Sequence, residues 1–246
     1  MRDALSVYRS LVARGAAPAL TWYGGDGRIE LSGRVAANHL AKICGYLLDE
    51  IWLTPGQALH LDLPAHWKQV LWGLGGLLAG ATVTCRGDAA PSASGYATEG
   101  AGCASGIDAR RGSAGGQAPA CGQAPACVLV TDGPDSRAAQ AAQDVLALDL
   151  GPLAMAWSGP ALPAGVHDAA AEVMGSPDDL ADETAHEASN AARWQASASR
   201  AGRPPLLVSP SPGAALAAAV ATMGAERLVV AEGAVDAEGI RIAENL

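Results

Sequence analysis

Residues 53–85 read LTPGQALHLDLPAHWKQVLWGLGGLLAGATVTC, and this stretch decides the fold class. Ala58 to Leu63 alternates apolar with polar side chains, the two-residue period of a strand, and Pro64 ends it because proline has no N–H to give a neighbouring strand. From about His66 to Ala79 the pattern becomes helical. Gly73, Gly75 and Gly76 sit there among Leu71, Trp72, Leu74, Leu77 and Leu78, so this helix is apolar on most sides and lets a neighbouring backbone approach, against a sheet. Ala81 to Cys85 forms a second strand. Strand, buried helix and strand in succession predict a parallel α/β unit.

Upstream, Leu5, Tyr8 and Leu11 recur at helical spacing before Gly15. Ala19 to Tyr23 and Arg28 to Leu31 flank Gly24-Gly25-Asp26-Gly27, whose residues supply the positive φ of a hairpin turn. Ser32 can cap a helix in which Val35, His39, Leu40, Ile43 and Leu47 share one face.

Downstream, Arg86 to Ala126 is rich in Gly, Ala and Ser and repeats Gly-Gln-Ala-Pro-Ala-Cys at 116–121 and 122–127, so 86–126 reads as a flexible insertion. Cys127 to Thr131 and Val145 to Leu148 read as short buried strands around a helix near Arg137 to Gln143. Helices over about 182–198 and 214–223 alternate with strands over 206–208 and 227–230. The expectation is a single 1–246 domain of α/β class, with mainly parallel sheets flanked by helices and a small N-terminal β-hairpin.

With 50% hydrophobic and 17% charged residues the chain can bury a substantial core. Its net charge of −9, with Lys42 and Lys68 as the only lysines and no basic cluster, argues against nucleic acid as a partner. No stretch approaches the roughly 20 apolar residues of a membrane helix, so a cytoplasmic protein with no membrane association is expected. The five cysteines form no zinc-type CxxC pair and are expected as free thiols.

The order of segments resembles the N-terminal part of the AMP-binding superfamily, which holds acyl-CoA synthetases, luciferases and peptide-synthetase adenylation domains. Pro18-Ala19-Leu20-Thr21-Trp22 followed by Glu30-Leu31-Ser32 looks like its opening hairpin. Leu53-Thr54-Pro55-Gly56-Gln57, Leu63-Pro64 and Ala79-Gly80-Ala81-Thr82-Val83 follow its next two motifs, with Gln57 where the family usually has Asp and Ala65 where it has Asn. Val128 to Asp132 resembles a later strand, and Thr184 to Asn190 the helix after the ATP loop. Short actinobacterial proteins of truncated architecture are the nearest group, in keeping with the Ala-rich, Lys-poor composition.

The resemblance implies that a Ser/Thr/Gly-rich loop ending in Pro-Lys-Gly precedes that helix and holds the ATP phosphates. A triphosphate needs N–H donors and a cation there. Residues 175–183 instead offer one serine, the acidic Asp178, Asp179, Asp182 and Glu183, and no Lys or Arg. The chain is therefore expected to lack the phosphate loop and, ending at Leu246, the C-terminal lid, and to be non-catalytic.

No residue is assigned a catalytic or metal-binding role and no cofactor is expected. His186-Glu187-x-x-Asn190 lacks the second His of a zinc helix. Asp62 and His66, flanking the carboxyl end of a strand, and Thr131 and Asp132, at the end of another, are the candidates to line a ligand crevice, since open α/β sheets bind ligands at those ends. For Asp62 and His66, helix capping or solvation is the commoner role. Trp67 and Trp72 could stack on a flat ligand, although core packing is the usual fate of such residues. Expected partners are a small acyl or nucleotide ligand, a protein, or a second copy of the chain. The alternative is a residual enzyme that binds AMP or an acyl thioester and is completed by a partner chain.

Overall fold

A computed structural model describes residues 3–25, 27–87, 127–180, 206–223, 225–233 and 236–246. The chain opens with helix α1 (Ala4–Arg14), the hairpin strands β1 (Pro18–Gly24) and β2 (Gly27–Ser32), and helix α2 (Gly33–Asp49). Asp3 caps α1 by accepting from Ser6 N at 2.7 Å, and Ser32 caps α2 by accepting from Val35 N at 3.3 Å. There follow β3 (Ala58–Asp62), α3 (Trp67–Leu78), β4 (Thr82–Cys85), β5 (Cys127–Thr131), α4 (Arg137–Ala141), β6 (Asp144–Ala147), β7 (Val166–Asp168) and α5 (Ala169–Glu172). The last elements are β8 (Leu206–Val208), α6 (Pro212–Thr222), β9 (Leu228–Ala231) and α7 (Ala237–Ala243).

Two sheets result. One has five strands in the order β4-β3-β5-β6-β7, all parallel, and the other four, β2-β1-β9-β8, parallel except for the β1–β2 hairpin. This is the mainly parallel α/β fold with an N-terminal hairpin that the sequence implies. Residues 88–126 of the expected insertion and the expected 182–198 helix, with His186 and Asn190, lie outside the described residues. Among the described residues no helix is long and apolar enough to cross a membrane.

One apolar cluster runs through both sheets, and α3 is its centre, with every residue from Trp67 to Leu78 buried. The three glycines of α3 each receive a different neighbour. A Cβ on Gly73 would stand 2.7 Å from Leu216 of α6, on Gly75 2.5 Å from Ile43 Cγ2 of α2, and on Gly76 2.3 Å from Leu59 of β3. The close approach expected for these glycines is real, but side chains rather than a backbone use it. At Gly75 the obstacle includes Ile43 Cβ at 2.7 Å, which a rotamer change cannot move. Gly75→Ala should gain about 1 kcal/mol of helix propensity and lose up to about 3 to overpacking, a net destabilisation of about 2 kcal/mol readable as a lower urea midpoint at unchanged slope.

Cys44 and Cys85 are buried thiols, whereas Cys127 is disulfide-bonded, which corrects the expectation of a thiol at that position.

Candidate functional site

Parallel pairing sets Asp62 of β3 opposite Thr131 of β5, so the carboxyl ends of both strands meet at one edge. The residue that organises this edge is Arg86, which follows β4. Its Nε donates to Asp62 Oδ1 at 2.7 Å, and its Nη2 donates to Asp62 O at 2.6 Å and to Asp132 Oδ1 at 2.9 Å. Asp62 and Asp132 are thus brought together around one guanidinium, which offsets one of their two charges. Thr131 is fully buried, and its Oγ1 accepts from Gly133 N at 3.0 Å, holding the turn after β5. The sequence reading missed Arg86 because it opens the Gly/Ala/Ser-rich tract; its signal was its place at the end of a strand parallel to β3.

His66 stands apart from that group, at the amino end of α3. It is the N-cap, with Nδ1 accepting from Lys68 N at 3.2 Å, which leaves the ring proton on Nε2. Its ring lies 5.9 Å from Trp22 and 5.6 Å from Trp67, and His39 meets Trp67 edge-on at 6.3 Å. Trp22 Nε1 donates to Glu232 Oε1 at 2.7 Å, while the buried Trp67 Nε1 has no partner among the described residues. The amide of Gln69, one turn on, donates to Cys85 Sγ and to Pro212 O, and its Oε1 is likewise unpartnered. Trp67 and Trp72 are core residues at 7% and 3% exposure.

Desolvation, with a smaller contribution from the Lys68 charge, pushes the His66 imidazole down to about 4 from its ordinary 6.5. Burial also lowers His39, as do the charges of Lys42 and Lys68. In the unfolded chain His66 takes a proton below about 6.5, and in the folded chain it resists one until about 4. The unfolded state therefore binds more protons in that window, and stability falls as pH drops from about 6.5 to about 4, by on the order of 2 to 3 kcal/mol in all. His66→Asn keeps a good N-cap and should flatten this part of the stability–pH curve measured by urea unfolding.

The two lysines are fully engaged. Lys68 Nζ donates to Asp149 O and Gly151 O, both at 2.7 Å, and to Ala154 O at 3.1 Å, and it lies 5.5 Å from the Trp67 ring centre. Lys42 Nζ donates to Met174 O at 3.1 Å and Ser176 O at 2.5 Å and pairs with Asp178 Oδ1 at 2.9 Å. A cation thus does reach the acidic stretch that begins at Gly175, from α2, but its donors are spent on Met174 O just before it and on Ser176 O and Asp178 within it. Asp179 beside it is exposed. Among the described residues no group of three or more His, Cys, Asp or Glu is placed to hold a metal ion.

No protein-family model matches the sequence, and no curated protein does. Solved structures do share the fold. An acyl-CoA synthetase from Brucella canis superposes with a TM-score of 0.59 at 15% identity, over 99% of this chain and 45% of that one. Acetoacetyl-CoA synthetase from Streptomyces lividans gives 0.57 at 10% identity, over 97% and 40%. A fatty acyl CoA synthetase from Mycobacterium tuberculosis gives 0.56 at 12% identity, over 99% and 47%. The chain spans less than half the length of each, and at these identities what is shared is the fold.

Proposed function

We propose that this chain uses an acyl-CoA-synthetase-like fold to bind a ligand or partner without adenylating it. The observation that carries the reading is the state of Lys42: its ammonium is saturated by Met174 O, Ser176 O and Asp178 in the segment where the family resemblance asks for a phosphate-binding lysine. Lys68 is saturated in the same way by three carbonyls, and Arg86 lies between two carboxylates. A triphosphate brought to these groups would have to displace acceptors already in place and approach Asp178 and Asp179.

The ligand that suits the amino end of α3 is a flat aromatic or acyl group of no net charge. His39 and His66 are the partly exposed rings that would meet such a ligand, with Trp22 and Trp67 buried behind them, and His66 stays neutral at physiological pH. Asp62 and Asp132, gathered by Arg86 apart from this ring cluster, are proposed as the lining of a separate crevice at the carboxyl ends of β3 and β5. Cytoplasmic residence is part of the proposal too; the buried thiols of Cys44 and Cys85 support that placement, and the disulfide at Cys127 weighs against it.

ATP–pyrophosphate exchange over a panel of acyl and aryl carboxylates, run beside thermal shift with ATP, AMP, acyl-CoA and uncharged aryl and acyl amides, tests the reading. The expected result is no exchange, and a raised melting temperature with aryl or acyl compounds alone, since a ligand that binds the native state must stabilise it. Exchange by the isolated chain would refute the proposal. Exchange appearing only with a second protein would favour a ligase-like enzyme completed by a partner chain.

A further inference from the structure

The two ends of α2 carry features that an isolated chain has reason to avoid. At the carboxyl end, Trp52 sits at φ 57° and is 78% exposed, between the buried Ile51 and Leu53. A bulky side chain in the left-handed region is strained, and a position of this kind ordinarily goes to glycine. Beside it Asp49 and Glu50 are exposed at the end of the helix where the dipole is negative, the wrong end for carboxylates.

The amino end is the complement. Arg34 and Val35, in the first turn of α2, are both exposed, with Val35 at 42% and Val12 of α1 at 53%. Arg34 N donates to Gly15 O at 2.7 Å, and Gly33 packs against Leu11 O and Arg14, so the end of α1 and the start of α2 form one corner. Arg9 of α1 is also exposed. Arg34 is a cation at the positive end of the dipole, again the unfavourable choice.

We propose that these two surfaces bind each other between copies of the chain. Trp52 of one copy packs on Val12 and Val35 of the next, and Asp49 and Glu50 meet Arg34. Within one copy the surfaces cannot meet, because a 17-residue helix holds them about 25 Å apart. Pairing two Trp52 ends would bring like-charged Asp49 and Glu50 toward one another, which disfavours it, so the proposed contact is head to tail, of the kind that builds rings or open chains. Each feature that costs the monomer, the strained tryptophan and the misplaced charges, is compensated in this contact.

Sedimentation velocity over about a hundredfold range of concentration reads the association directly. The wild-type chain should sediment faster as concentration rises. Trp52→Gly should weaken association by about a hundredfold or more while raising the melting temperature, because strain is relieved. Glu50→Arg and Arg34→Glu should each weaken it at least about tenfold, also without loss of melting temperature, since each reversal improves the charge on its helix end. Mixing the two charge variants should restore association, because the end made basic by Glu50→Arg then meets the corner made acidic by Arg34→Glu. A wild-type chain that stays monomeric throughout overturns the proposal, as does a Trp52→Gly variant that associates like wild type. A mixture that fails to recover association rules out the head-to-tail pairing.

Discussion

Lys68→Met should lower the stability of the folded chain by about 3 kcal/mol. Two effects oppose each other. Burial lowers the pKa of Lys68, with the Asp149 carboxylate working the other way, so the ammonium is held at a cost that methionine removes. Against this, methionine leaves the carbonyls of Asp149, Gly151 and Ala154 without their donor. Three acceptors losing a charged partner outweigh the relief of one desolvated ammonium, because each such hydrogen bond is worth about 1.5 to 3 kcal/mol and only part is recovered from water.

The loop from Asp149 to Ser158 should also loosen. Its apolar side chains are largely exposed, Leu153 at 85% and Met155 at 65%, although Leu150 packs on the core; Asp149 closes it internally by accepting from Gly151 N at 2.7 Å and Ser158 N at 3.0 Å, and Asp168 Oδ2 holds its far end by accepting from Trp157 N at 2.9 Å. Limited proteolysis should cut the variant near Leu153 and spare the wild type, since cleavage follows the population of the open form. Equal resistance in both would show that Lys68 does not hold the loop.

Glu244→Ala should cost a comparable amount, about 3 kcal/mol. The Glu244 side chain is 5% exposed and accepts from Arg28 Nε at 2.9 Å, Arg227 Nη1 at 2.5 Å and the Tyr23 hydroxyl. Arg227 also donates to Glu244 O at 2.9 Å. This one carboxylate ties α7 to the hairpin strands β1 and β2 and to the start of β9. Removing it leaves Arg227 largely buried without a counter-charge, and Glu244→Gln should recover part of the loss by keeping an acceptor.

Acid should act on the same group. Burial alone would raise the pKa of Glu244, but the Tyr23 and Arg28 hydrogen bonds and the two arginine charges outweigh it and hold the carboxyl below its ordinary 4.5. The stability this contributes is present above about 4.5 and is lost as pH falls below it. It follows the His66 loss, which begins higher, so His66→Asn should remove the upper part of the acid-unfolding curve and Glu244→Gln the lower.

How far the sequence could be read depended on the range of the interaction. Helix α3 was legible because its apolar residues lie on all sides, a pattern that only burial explains; His66, a crevice candidate for which capping or solvation was the commoner role, is the cap of that helix. The short β7 and α5 were missed, since Val166-His167-Asp168 has too few residues to show a two-residue period. Helix α7 was missed because Ile240 and Ile242 alone give no apolar stripe; Ile240 is buried and Ile242 is 72% exposed.

The rule for parallel strands put Asp62 and Asp132 at the carboxyl ends of their strands, and β3 and β5 do pair in parallel there. Arg86 between them and Lys42 on the acidic segment were not foreseen. Lys42 and Ser176 meet across 134 positions of sequence, and such a contact leaves no local trace in either stretch. Composition alone presented residues 175–183 as bare of cations; the fold supplies one and consumes it at once.

Titration calorimetry of the intact chain with magnesium ATP tests the central claim most directly. With Lys42, Lys68 and Arg86 committed to the protein's own oxygens, the account predicts no saturable heat up to about millimolar nucleotide. Saturable binding at about micromolar ATP, weakened by Lys42→Met, would show that the lysine is free to hold phosphate and would contradict it.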